Sequence, residues 1–272
     1  MQRYRNGKVI KVFVCAIFLF GMAHTVMAQW KELYRITDST DFIAFDNLFN
    51  LYRVRGSELF KYNPDGELQF RYSDKQLGEI NTIDVTYPLR PLLTYPDLNY
   101  IAILDNTLSN NRGNINMLNY NIGLASLATN SVQNHFWFYD SMNFAVLRLN
   151  ENFKEVSRTG NLAQVLGIEL DPIAMTEYSN RLYINNPSTG IMVFDIYGTY
   201  IKTIPLKNIH SFQVFENEIV YCEKGKLLRY NTLLFETREI QLPVPCKSAY
   251  IQKNRIALLN DKGIIVLKNS NP

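Results

Sequence analysis

Apolar and polar residues alternate along this chain in short runs, and the runs repeat. The clearest unit spans Gly190–Ile204. Gly190–Asp195 reads as an apolar strand, Asp195–Gly198 as a tight polar turn, and Thr199–Ile204 as a second strand leaving the core. The same phrase, an apolar run ending in Asn or Asp ahead of a turn, recurs at Leu59–Asn63, Ile101–Asp105, Val146–Asn150, Met192–Asp195 and Leu228–Asn231. A last run lies at Ile264–Lys268. Successive ends are 42, 45, 45, 36 and 37 residues apart. A period of about 40 residues is that of four-stranded propeller blades. The terminal Asn or Asp suits a turn, because its side chain can bond the backbone two residues on and tolerates left-handed geometry. Asn63-Pro64-Asp65-Gly66 adds a proline and a glycine placed for a hairpin.

A second apolar run precedes each copy: Leu51–Val54, Pro91–Tyr95, Phe136–Tyr139, Leu182–Ile184, Ile219–Cys222 and Ile256–Leu259. Weaker runs precede those, at Phe42–Phe45, Ile83–Tyr87, Ile173–Met175, Phe212–Phe215 and Ala249–Ile251. Each unit thus supplies an inner, a second, a third and a polar outer strand, and six units fit. The sixth unit stops at its third strand, which would leave an unpaired sheet edge. Trp30–Ile36 lies ahead of the first inner strand and has no other partner. It is expected to close the ring as the outer strand of the last blade. The expected fold is therefore an all-β, six-bladed β-propeller closed by its N-terminal strand; the competing readings are an open sheet or two sandwiches.

The first 28 residues read as a signal peptide. Arg3, Arg5, Lys8 and Lys11 form a basic start, Val12–Met22 an apolar core, and Val26-Met27-Ala28 a small-residue cleavage site. The apolar stretch is short for a membrane span of about 20 residues, so cleavage is expected to start the mature chain at Gln29, with no membrane insertion afterwards. Cys15 follows Val14 rather than a small residue, which argues against a lipoprotein site. Residues 29–272 form the propeller. Losing four of 28 basic residues leaves 24 against 25 acidic ones. The mature chain is then close to neutral and carries no basic cluster for nucleic acid. One helical turn is expected at Asn161–Gly167, ended by the glycine.

Candidate chemistry is sparse. His135 and His210 lack partners at metal-ligand spacing, and no Gly-x-Ser-x-Gly elbow is present. No metal or cofactor is expected. A lactonase-type propeller would need acidic groups converging on the channel, and Asp84 and Glu177 are the only inner-strand candidates. Cys222 and Cys246 survive cleavage. Two separate buried thiols are the simpler reading, and a disulfide stays open because an exported chain can form one.

Two stretches are odd for plain scaffold. Thr86–Pro96 contains three prolines, which must sit at strand ends, turns or edges. It places Tyr87 and Arg90 on a turn with Tyr95 nearby, and Tyr and Arg are favoured interface anchors; the alternative is a rigid turn. His135–Tyr139 is an aromatic strand whose rings either fill the wedge between blades or place Trp137 on a face as an anchor. Tyr87, Arg90, Tyr95 and Trp137 are the candidate partner contacts. Asn106–Asn121 reads as an exposed, Asn-rich hairpin and loop.

The stretch Asn81–Asn106 resembles a signature of small exported proteins of the Bacteroidota, with an inner strand, a proline turn and an aspartate–asparagine hairpin in that order. The phrase Asn134–Asn152 fits as well. The family is similar to the periplasmic plug subunit of the type IX secretion translocon, whose members cap the periplasmic mouth of a large outer-membrane barrel. The resemblance implies a non-catalytic, periplasmic, protein-binding subunit with an outer-membrane barrel as partner, monomeric outside that complex. It carries no functional residues over to these positions. Generic periplasmic scaffolding, ligand binding and, third, lactone hydrolysis are the competing functions.

Overall fold

The computed structural model describes residues 30–270; the expected leader and its cleavage site lie outside them. The first strand, β1 (Trp30–Ile36), belongs to the last sheet. Blade 1 is β2 (Phe42–Phe45), β3 (Leu51–Arg55), β4 (Glu58–Tyr62) and β5 (Leu68–Ser73). Blade 2 is β6 (Thr82–Asp84), β7 (Leu92–Tyr95), β8 (Tyr100–Ile103) and β9 (Asn114–Asn116). Blade 3 is β10 (Ala125–Ser131), β11 (His135–Asp140), β12 (Ala145–Leu149) and β13 (Glu155–Arg158). Blade 4 is β14 (Ala174–Tyr178), β15 (Arg181–Asn186), β16 (Gly190–Asp195) and β17 (Tyr200–Ile204). Blade 5 is β18 (Phe212–Phe215), β19 (Glu218–Glu223), β20 (Lys226–Asn231) and β21 (Glu236–Ile240). Blade 6 is β22 (Ser248–Gln252), β23 (Arg255–Asn260), β24 (Gly263–Asn269) and, outermost, β1. Pairing runs from Trp30 opposite Asn269 to Ile36 opposite Ile264. The ring is a six-bladed propeller, closed where the sequence places the closure.

The turns after the third strands form as the Asn/Asp positions predict. The side-chain oxygens of Asn63, Asp105, Asn150, Asp195 and Asn231 each accept two backbone N–H groups of the turn that follows. Each side chain thus satisfies donors that would otherwise compete with the ladder. The helical turn forms too, as α1 (Leu162–Leu166), with Asn161 capping Gln164 N–H at 3.0 Å and Gly167 left-handed at φ 63°.

The middle strands of each sheet bury residues on both faces, while the outermost strands are largely exposed. Six hydrophobic clusters fill the six spaces between neighbouring blades, and alternate residues of one strand serve opposite neighbours. Leu93 and Tyr95 pack toward blade 1, and Leu92 toward blade 3. Phe136 and Phe138 pack toward blade 2, Trp137 and Tyr139 toward blade 4.

Three details depart from the sequence reading. The inner strand of blade 2 ends at Asp84, not Tyr87, because the Asp84 carboxylate accepts the Thr86 N–H at 2.7 Å and turns the chain. The inner strand of blade 3, Ala125–Ser131, carries too few large apolar residues to show as a run. Cys222 and Cys246 form a disulfide, with Cα atoms 6.2 Å apart, which corrects the expectation of two separate thiols. The connection entering blade 6 folds back so that Cys246 N–H donates to the Gly225 carbonyl at 3.0 Å, and this seats Cys246 beside the end of β19.

Candidate functional site

Four-stranded antiparallel blades sort their connections by face. Turns joining first to second and third to fourth strands lie on one face, here called lower. Turns joining second to third strands, and the links between blades, lie on the upper face. The six inner strands surround a central channel of about 500 Å³, lined by groups such as Phe42, Met175, Gln213 and Tyr250, with Asp84 and Glu177 in its wall. Burial, with the Asp84 charge second, pushes the Tyr250 phenol up to about 12.

Both channel carboxylates are committed to neighbouring blades. Asp84 of β6 accepts from Thr129 Oγ1 at 2.5 Å and from Asn130 N–H at 2.6 Å, both on β10. Glu177 of β14 accepts from Ser131 Oγ at 2.5 Å, Trp137 Nε1–H at 2.6 Å and Val132 N–H at 3.1 Å. Blade 3 is therefore clamped on both sides by charge-assisted bonds, which are roughly twice as strong as neutral ones. Amides repeat the device more weakly. Asn81 donates to Ser126 O at 2.9 Å, Gln213 accepts from Ile251 N–H at 2.6 Å, and Gln252 donates to Phe45 O at 3.3 Å. Thr129, Asn130 and Ser131 of β10 are buried, and these partners take up their polar groups.

The candidate contacts separate into two kinds. Tyr95 and Trp137 are 0% and 1% exposed, so neither side chain presents surface to a partner. That corrects their assignment as anchors. Alternation along β7 and β11 points both into inter-blade cores, and Trp137 spends its N–H on Glu177. Arg90 is half-buried and does scaffold work. Its Nε donates to Asn130 Oδ1 at 2.9 Å and its Nη1 to Asn134 O at 3.3 Å, and its guanidinium lies 4.5 Å from the Phe136 ring centroid. Tyr87 remains on the lower face, 37% exposed, with Arg90 5.3 Å from its ring. The prolines sit as expected, Pro91 just before β7 and Pro96 opening a 3-10 turn.

His135 stands at the edge of the blade 3 turn on the lower face. Burial holds its pKa below the usual histidine value, the Arg148 charge adds to this, and Glu177 opposes it. Arg148 grips the same turn, through Nε to Ser131 Oγ at 2.9 Å and Nη2 to Val132 O at 3.2 Å.

Sequence reasoning missed the most exposed apolar group. Leu233, Leu234 and Phe235 form the lower-face turn between β20 and β21, and are 62%, 62% and 75% exposed. Tyr197, in the matching turn of blade 4, is exposed as well. The upper face shows Leu98, Leu118, Met142 and Val165 in separate connections. Scattered single apolar residues are normal on a surface, whereas a contiguous group marks contact. The signal was present as three apolar residues after the turn-forming Asn231. Among the described residues, no three His, Cys, Asp or Glu side chains come together as a metal cage.

No protein-family profile matches the chain, and no curated protein matches it in sequence. Solved structures match it in fold. The Pan2 WD40 domain of Neurospora crassa gives a TM-score of 0.63 at 10% identity, over 89% of this chain and 96% of that one. Streptogramin B lyase gives 0.58 at 14% identity, over 83% and 78%. BBS1N, solved in complex with ARL6DN, gives 0.57 at 10% identity, over 87% and 80%. The chain is a β-propeller similar to diverse propellers, a fold compatible with protein binding; at these identities the likeness reaches no further than the fold.

Proposed function

We propose that this chain is an exported, non-catalytic propeller that binds a protein through its lower face, and that it caps the periplasmic mouth of an outer-membrane translocon barrel of the type IX kind. The observation that carries the binding role is the exposed, hydrogen-bonded Leu233–Phe235 tip on that face. Asp84 and Glu177 spend their carboxylate oxygens on hydrogen bonds between blades, which supports a scaffold role for both. A disulfide and the leader-like first 28 residues support an oxidising compartment such as the periplasm. BBS1N shows a similar fold engaged in a protein complex. The barrel partner rests on the family resemblance of Asn81–Asn106 and Asn134–Asn152.

Affinity purification of a tagged mature chain from detergent-solubilised membranes tests this. The expected result is a large outer-membrane barrel in stoichiometric amount, lost on addition of a saturating untagged copy. Recovery of the propeller alone, or measurable lactone hydrolysis by the purified chain, refutes it.

A further inference from the structure

The Leu233–Phe235 tip does not stand alone. Beside it on the lower face lies a groove of about 590 Å³ at the inner turns of blades 4, 5 and 6. Half-buried Tyr178, Phe215 and Ile251 give it apolar surface, and Glu216, Arg229 and Lys253 give it charge. Hydrogen bonds tie the tip to the groove. Asn231 lines the groove, and its Oδ1 accepts Leu233 N–H and Leu234 N–H, both at 2.9 Å. Thr232 N–H donates to the carbonyl of Asn217, another groove residue, at 2.7 Å. These bonds fix the backbone of the turn, and its three apolar side chains are exposed. A rigid apolar projection loses little freedom when a partner covers it.

The charges divide unevenly. Arg229 is paired with Glu218 at 3.2 Å. Exposed Glu216 makes no ion pair among the described residues, and exposed Lys253 has only the Phe49 ring, at 5.8 Å. Both head their turns in left-handed geometry, at φ 45° and 51°, where glycine or asparagine would sit with less strain. One unpaired carboxylate and one unpaired ammonium thus flank apolar surface.

We infer that this groove and tip form one docking site for an extended turn of a protein partner. That turn presents a cation to Glu216, an anion to Lys253 and an apolar side chain between them, while the tip enters an apolar depression alongside. Periplasmic turns of outer-membrane barrels are short, and one such turn is the occupant proposed. The inference deepens the partner-binding reading above and rests on it.

Hydrogen exchange read by mass spectrometry tests it, comparing the mature propeller alone with its purified complex with the co-purifying barrel. Slowed exchange is expected at residues 216–217, 231–235 and 253–254. Phe235→Asn, which suits left-handed geometry, and Leu234→Ser should each weaken the complex at least about 10-fold with an unchanged Tm. A complex that forms but protects the upper-face links, or the Tyr87 turn alone, overturns the docking site and leaves the partner reading intact. If no complex forms, the partner reading fails and this site with it. Equal protection by phosphatidylethanolamine–phosphatidylglycerol vesicles without barrel assigns the tip to a lipid surface. Protection that rises with propeller concentration alone assigns it to a second copy. Either result overturns the proposal.

Discussion

Removing the Cys222–Cys246 bridge should cost this protein a large part of its stability. The two residues are 24 apart in sequence, so the bridge closes a loop of that size in the unfolded chain. Loop-closure entropy for that length is about 12 cal/mol/K, or about 3.5 kcal/mol at 25 °C. The loop runs from the second strand of blade 5 to the link entering blade 6, so it also holds the closing blade against its neighbour. The test is Cys222→Ala with Cys246→Ala, compared with the oxidised parent by urea unfolding and by calorimetry. Both cysteines are buried, and alanine avoids adding a buried hydroxyl. At about 2–4 °C per kcal/mol, Tm should fall by about 7–14 °C. The denaturant slope should rise, because the uncrosslinked chain exposes more surface on unfolding. Two free thiols titrating in the native parent, or a double variant within about 0.5 kcal/mol of it, would show that the bridge does not constrain the ring.

Other perturbations test the clamps and the closure. Glu177→Gln places an amide among three donors and should destabilise by about 2–4 kcal/mol; the emission of Trp137, which bonds this carboxylate, should shift as well. Gly263 has φ 112°, and a Cβ there would meet the Ile36 carbonyl at the end of β1. Gly263→Ala should therefore loosen ring closure and cost at least about 2 kcal/mol, with faster proteolysis near residue 36 as the local readout. Arg90→Ala should lower Tm because it unties blade 2 from the blade 3 turn, while Tyr87→Ala should leave Tm within about 1 °C. His135 has a depressed folded pKa, so the unfolded chain takes up its proton first as the solution is acidified. Its contribution is complete above pH of about 6.5 and is lost as pH falls through the folded value. His135→Gln should flatten that part of the stability–pH curve, and an unchanged slope would rule the residue out.

Much of the fold was legible because its signals are local. Asn63, Asp105, Asn150, Asp195 and Asn231 bond their own turns within four residues, so the sequence window contains both donor and acceptor. The apolar runs between them alternate with the strand period. The inner strand of blade 3 escaped notice because its burial depends on partners elsewhere: Thr129, Asn130 and Ser131 are satisfied by carboxylates 45 and 46 residues away. The candidate site was half legible. Tyr87 stayed on a face, whereas Tyr95 and Trp137 were misread, because residue type alone does not say which side of a strand meets the next blade.

Sequence by itself determined the repeat, the blade count, the turn positions and the strand that shuts the ring, since each follows from period and neighbouring side chains. Tertiary structure alone decided that Asp84 and Glu177 act as clamps, that Cys222 meets Cys246, and that Leu233–Phe235 stand in water beside a groove. Those outcomes depend on how one blade is turned against the next. That angle is set by packing across the inter-blade cores, between residues about one repeat apart, and no short stretch of chain encodes it.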